Sequence, residues 1–346
     1  MSSRLHRILA ALCCAATLSG CGGGSAIAPL PLPASSPPPA SPPASPPPTT
    51  PPAAPPALTS STSALALAVS GQPRHFVITN VGGQDALNLV ATATTALPAG
   101  TSFTTDCATL APGASCTLTV TPGAIPSATP GDLAPLPAEM GLSGSNTNTL
   151  ALSIWVLDFG SVYQGGYVFD LNDGTPVTNG VGGKVVALQD VPGMARPWGP
   201  NDSATTLSPS RTEGAANTAD IVNQYGPPTI AGPTYEYPAW ACSNVNDAGF
   251  DDWYLPAICE MGYDGSGNGS GCGTRENPLM PNIQSGLVDR GQANLQPDFS
   301  YWSSTSTSPA EVWVHGFGTT PALRSLQFTD LFGGAQFARC VRVLTP

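Results

Sequence analysis

From residue 59 to about 124 the apolar positions fall at every second place. Leu65, Leu67 and Val69 share a face, as do Phe76 and Ile78, and then Leu118 and Val120. A period of two is the signature of a strand with one buried side. Ser70-Gly71, Asn80 to Gly83, Pro98 to Gly100 and Pro112-Gly113 interrupt the runs with residues that favour turns. Short, regularly punctuated strands predict a β-sandwich over 59–124. Residues 125–145, rich in Pro, Gly and Ser, read as a linker to a second domain over 146–346. That domain opens with strand-like runs at 150–157, 161–169 and 183–188. A helix is expected from Thr212 to Tyr225, where Ile221 and Val222 oppose Asn217 and Asp220, and another after Pro256. Short strands return between Tyr301 and Val343. The whole predicts a mainly β chain, a sandwich followed by an α+β domain.

The first 58 residues follow neither period. Arg4, His6 and Arg7 precede an apolar stretch, Ile8 to Thr17, and then Leu18-Ser19-Gly20-Cys21. The stretch is far short of the roughly 20 residues that span a bilayer, so residues 1–20 read as a cleaved export signal. Leu-Ser-Gly-Cys resembles the lipobox of bacterial lipoproteins, which implies cleavage before Cys21, lipidation of its thiol and anchoring in a membrane. Several acyl chains anchor stably where one does not. Gly22 follows the cysteine, so the outer membrane of the cell envelope is the expected address. From Pro29 to Pro56 the chain is almost wholly Pro, Ala, Ser and Thr. Such a segment is an extended polyproline-II spacer, and at about 3.1 Å per residue it reaches roughly 90 Å. Residues 21–58 are therefore expected to be a lipidated cysteine on a proline-rich stalk.

Charge and cysteine content narrow the setting. The formal charge of −11 falls to −13 once Arg4 and Arg7 leave with the signal. Nucleic-acid binding depends on Lys and Arg neutralising phosphates, so no nucleic-acid partner is expected. After Cys13, Cys14 and Cys21 are set aside, six cysteines remain: Cys107, Cys116, Cys242, Cys259, Cys272 and Cys340. An even number in an exported chain points to disulfides. Cys107 and Cys116 flank the Pro112-Gly113 turn on adjacent strands and are expected to pair.

Two resemblances add to this. Asn80-Val-Gly82 after an early strand and Leu110-Ala-Pro-Gly-Ala-Ser-Cys116 near the end resemble the immunoglobulin-like domains of bacterial surface proteins. Four further motifs occur in order: Tyr163-Gln-Gly-Gly-Tyr-Val-Phe169; Ala239-Trp-Ala-Cys242 with Asp252-Trp-Tyr-Leu-Pro-Ala257; Tyr301-Trp-Ser-Ser-Thr305; and Ala338-Arg-Cys-Val-Arg342. Together they resemble the Lcl C-terminal domain family, named for a bacterial collagen-like adhesin, with a C-type-lectin-like fold. The resemblance implies a binding or adhesive module, leaves room for an oligomer, and implies that Cys242 and Cys340 join the first and last parts of the domain. Cys259 and Cys272 then pair across a glycine-rich loop. In the chain-entropy model the long closure is worth up to about 4.7 kcal/mol and the short one nearer 3 kcal/mol. Trp253 and Trp302 read as core, and Asp252 as partner to Arg339 or Arg342.

Sites for chemistry are few. Asp264-x-Ser266-x-Asn268-Gly269 copies the first half of an EF-hand calcium loop, but Arg275 stands where the bidentate Glu belongs,. No metal or other cofactor is expected. Only His75 and His315 remain in the mature chain. A serine hydrolase needs a base beside its nucleophile, and Ser303 or Ser304 with His315 is the one pairing to test. The resulting expectation is a non-enzymatic surface lipoprotein whose terminal domain binds an extracellular glycan or protein. Trp198, Trp313 and Phe317 are its candidate contact residues. The rivals are an envelope-assembly lipoprotein without soluble ligand and an enzyme akin to the lectin-like sulfatase-activating proteins.

Overall fold

The computed structural model of the 346-residue chain describes residues 51–193, 196–199, 208–228, 236–292, 294–297, 299–320 and 324–346. The export signal, Cys21 and the stalk as far as residue 50 lie outside the described residues. Among those described, no helix is long and apolar enough to cross a membrane.

Eight strands build the sandwich: β1 (Leu58–Ser60), β2 (Ala64–Ala68), β3 (Arg74–Asn80), β4 (Val90–Ala93), β5 (Ser102–Thr105), β6 (Ser115–Thr121), β7 (Ala138–Ser143) and β8 (Thr149–Leu157). They form two four-stranded sheets, ordered β1-β3-β6-β5 and β2-β8-β7-β4. Leu65, Leu67, Phe76, Ile78, Leu118 and Val120 are fully buried between them, as the two-residue period requires. Met140, Leu142, Leu152, Ile154 and Val156 complete the same core.

That last set corrects the expected boundaries. The supposed linker 125–145 contains β7, and the strand expected to open the second domain, 150–157, is β8 of the sandwich. Without them β2 and β4 have no neighbours, because β2 pairs only with β8, in parallel, and β4 only with β7. The sandwich thus extends to Leu157, and the second body begins with the turn that follows.

The second body contains a sheet ordered β15-β11-β10-β9, made of β9 (Val162–Tyr163), β10 (Gly166–Asn172), β11 (Gly182–Ala187) and β15 (Val341–Val343). A three-stranded sheet follows, with β12 (Ser300–Ser306), β13 (Glu311–Gly316) and β14 (Leu326–Leu331). Helix α1 (Gly214–Tyr225) matches the expected one, and α3 (Ile258–Met261) follows Pro256 as expected. Two more short helices are α2 (Pro238–Ser243), which carries Cys242, and α4 (Ile283–Gly286). The chain is mainly β.

The two bodies share a core. Ala66 on β2 and Leu157 at the end of β8 are buried with Val168, Val181 and Val185 of the second body. Trp155 meets Tyr163 with ring centroids 5.4 Å apart. Arg74, 0% exposed, reaches across: its guanidinium donates to the carbonyls of Pro176, Asn179, Gly180 and Asp173 and pairs with the Asp173 carboxylate at 2.7 Å. At the other end of β3, Asn80 accepts from the amides of Ala57 and Gly82 and donates to the carbonyls of Gln84 and Leu110. Both ends of the strand therefore carry a buried polar side chain with most of its partners supplied; of the Arg74 guanidinium only Nε finds none,.

Candidate functional site

Three disulfides are present: Cys107–Cys116, Cys242–Cys340 and Cys259–Cys272. The second ties α2 to the residue just before β15. Asp106, Cys107 and Cys116 are the one cluster of metal-type ligand atoms among the described residues, and two of its three members are the disulfide itself.

The motifs of the second body are mostly framework. Trp253 and Trp302 are buried, and the Trp302 indole donates to the Arg196 carbonyl. Asp252 pairs with Arg342, at 2.6 Å from Nε, and the guanidinium lies 3.7 Å over the Phe250 ring. Arg339 takes a different carboxylate, Asp190, at 2.5 Å. The three candidate contact residues are corrected by their burial. Trp198 is 1% exposed, stacked on Phe332, with its indole N–H donating to the Ser303 carbonyl; Phe317 is 1% exposed against Tyr301 and His315. Trp313, 6% exposed, packs with Ile258 and the Cys259–Cys272 pair and borders a surface hollow beside Asn268 and Phe328. Trp198 and Phe317 are sealed in the core, and Trp313 exposes only a small fraction of its surface. Their apolar area and, for Trp198, a satisfied N–H explain why the core takes them.

His315 meets neither Ser303 nor Ser304. Its Nδ1 lies 3.3 Å from Gln327 Nε2, while Ser303 Oγ donates to the Trp313 carbonyl and Ser304 Oγ receives Asn217. Burial drives the His315 pKa down to about 3, so the ring is neutral,. Glu260 is a buried carboxyl group with both oxygens bonded. Lys184 and Tyr254 bond to Oε1 at 2.5 and 2.8 Å, and the Ala257 amide bonds to Oε2 at 2.8 Å.

Among the described residues, the loop closed by Cys259–Cys272 is open to solvent and carries fixed polar groups. Asp264 organises it. Its Oδ1 accepts from Ser266 Oγ and the Asn268 amide, and its Oδ2 from the amides of Gly269 and Ser270. The carboxylate that the EF-hand-like spacing would aim at a cation is turned onto its own loop. Ser266 and Asn268 then bond to the backbone of Gln327 on β14, which pins the loop to the sheet.

Beside this loop lies a cavity of about 300 Å³, lined by Tyr263, Asp264, Gly265, Thr274, Arg275, Glu276 and Arg324. Behind it Asp289 acts as a hub. The Tyr263 hydroxyl donates to it at 3.0 Å and Gln284 at 2.8 Å, while the Nε atoms of Arg275 and Arg324 stand 3.4 and 3.7 Å away. Burial, and then the bond to Asp289, raise the Tyr263 pKa far above the ordinary phenol range, so the hydroxyl is a permanent donor. Gly265 allows the close approach: a Cβ there would collide with the Arg324 carbonyl. A larger hollow of about 570 Å³ at Ala310 and Asp330 to Gly334 is less equipped, because Asp330 is already engaged by Gln336 and the Leu331 amide. The arginine pair went unnoticed in the sequence because Arg275 and Arg324 are 49 positions apart and only Asp289 brings them together.

No protein-family model matches the chain, and no curated protein does. Three solved structures share part of its path. Domains 4 and 5 of the S-layer protein SbsC are 14% identical over 29% of this chain, with a TM-score of 0.21. The chain covers half the length of that fragment. The secreted serine protease VesC from Vibrio cholerae is 15% identical over 44% of this chain and 38% of its own, with a TM-score of 0.23. A fimbrial protein from Bacteroides ovatus is 12% identical, covering 78% of this chain and 76% of its own, with a TM-score of 0.25. Superposition this loose assigns neither fold family nor activity.

Proposed function

We propose that the chain is a lipoprotein of the cell envelope, tethered through Cys21, whose second body binds an extracellular glycan or protein. In this reading the sandwich is an immunoglobulin-like spacer, and the second body is a C-type-lectin-like domain of the Lcl C-terminal kind. The observation that carries the binding role is the solvent-open cavity beside the Cys259–Cys272 loop. Its polar groups are held by a disulfide, by Asp264 and by Asp289 rather than by side chains free to move. Recognition surfaces gain affinity from such preorganisation because less freedom is lost on binding. The stapled cysteines and the acidic surface suit display outside the cytosol.

The test is a retention screen of the full mature chain against immobilised surface polysaccharides and extracellular matrix proteins. Saturable retention of one ligand class supports the role. Retention of neither, by a chain with intact disulfides, discards it. Mass spectrometry of the amino-terminal peptide checks the tether independently: a diacylglyceryl-modified Cys21 is expected, and an unmodified chain continuing upstream of it refutes that part.

A further inference from the structure

We propose that the cavity between Tyr263 and Arg324 takes a saccharide bearing one carboxylate, with that carboxylate forked by Arg275 and Arg324. This rests on the binding role above and gives it a ligand class.

The argument begins with what the two guanidiniums leave unused. Each presents its Nε edge to Asp289. Arg324 spends Nη2 on the Thr319 carbonyl at 2.9 Å. Among the described residues no acceptor engages the Nη atoms of Arg275 or Nη1 of Arg324, and the Arg275 side chain is half exposed. Two planar cations with free N–H groups on one cavity wall match the geometry of a carboxylate. Asp289 behind them leaves the trio with a single positive charge, enough for one anionic group.

The remaining wall describes the rest of the ligand. No aliphatic side chain lines the cavity. Thr274 contributes a hydroxyl, and exposed Glu276 a carboxylate without a bonded partner among the described residues. Acceptors of this kind suit sugar hydroxyls and give an amino-acid side chain no apolar contact. Asp264 is closed to ligand, since its oxygens already hold four donors. Glu276, Asp264 and the −13 charge of the mature chain oppose dense polyanions,. A single carboxylate on a neutral, hydroxylated frame satisfies both conditions.

Calorimetric titration of the full mature chain with galacturonate, galactose, acetate and N-acetyl-dialanine tests this. Galacturonate is expected to bind at one site per chain, about tenfold or more tighter than galactose or acetate. Arg275→Gln and Arg324→Gln each weaken it by about tenfold or more, and Arg275→Lys, which keeps the charge without the fork, recovers only part. Near-UV circular dichroism confirms that the half-exposed Arg275 variants fold. Galacturonate binding no tighter than galactose or acetate, or unchanged by both glutamine variants, overturns the inference. So does tighter binding of the dipeptide carboxylate. Retention of a glycan in the screen that survives Arg275→Gln and Arg324→Gln defeats this inference and leaves the binding role intact. One-site galacturonate binding without any retained polymer or protein does the reverse.

Discussion

Arg342 is 1% exposed, while the Asp252 carboxylate that pairs with it is half exposed. Removing the arginine leaves an acid that water can solvate; removing the acid strands a buried cation. Asp252→Ala is therefore expected to cost more than Arg342→Met, by about 1–3 kcal/mol, in urea unfolding midpoints. Gln164, which accepts from Nη1 at 2.8 Å, and the Phe250 ring keep the loss from growing further. His315 imposes a pH dependence of known sign. Its folded pKa is about 3 against an ordinary 6.5, so between those values the unfolded chain binds the proton and the native one does not. Stability is then present above about pH 6.5 and declines toward pH 3, with a slope of about 1.4 kcal/mol per pH unit where the difference is complete. Chemical denaturation at pH 7, 5 and 4 measures it, and a His315→Gln chain that keeps the same slope would contradict the assignment.

The short disulfide closes 13 positions and the long one 98. Replacing Cys242 and Cys340 by serine is expected to lower the melting temperature more than replacing Cys259 and Cys272, following stabilisations of up to about 4.7 and 3 kcal/mol. Only Cys259–Cys272 also holds the loop beside the proposed binding cavity, so its loss should weaken the proposed binding at temperatures where the fold persists. Gly265→Ala is expected to act on the cavity wall: the added methyl displaces the Arg324 backbone and lowers the affinity of the proposed site, read by the same titration. Strands with a buried face and a solvent face were legible, as were α1 and the Pro112-Gly113 turn, because each is written in a local period or turn residue. The membership of β7 and β8 was not. The Pro- and Gly-rich stretch before Ala138 looks like a domain end, and the parallel pairing of Ala64 with Ser153 spans nearly ninety positions that no local period records. Trp198, Trp313 and Phe317 were misplaced for a related reason. Residue type does not say whether a ring meets a ligand or, as for Trp198, stacks on Phe332.

Arg74 makes one molecule of two bodies. It is buried at their junction with partners in the Asp173–Gly180 segment, and breaking such a buried pair by removing one member typically costs about 3–5 kcal/mol. Asp173→Ala, which leaves the cation in place without its carboxylate, is expected to split a single calorimetric unfolding transition into two. One transition at an unchanged temperature would show that the shared core of Ala66, Leu157 and Val181 suffices. Under the proposed tether at Cys21, the parallel pairing of β2 with β8 has a further consequence. Traction from the amino-terminal side passes β1 and reaches the start of β2, and drag on the second body reaches the far end of β8. Because the two strands run in the same direction, these opposed forces slide one strand along the other rather than peeling them apart. All five residue pairs from Ala64–Ser153 to Ala68–Leu157 must then yield together, so in flowing liquid the sandwich should resist extension best along the line that joins the start of β2 to the end of β8.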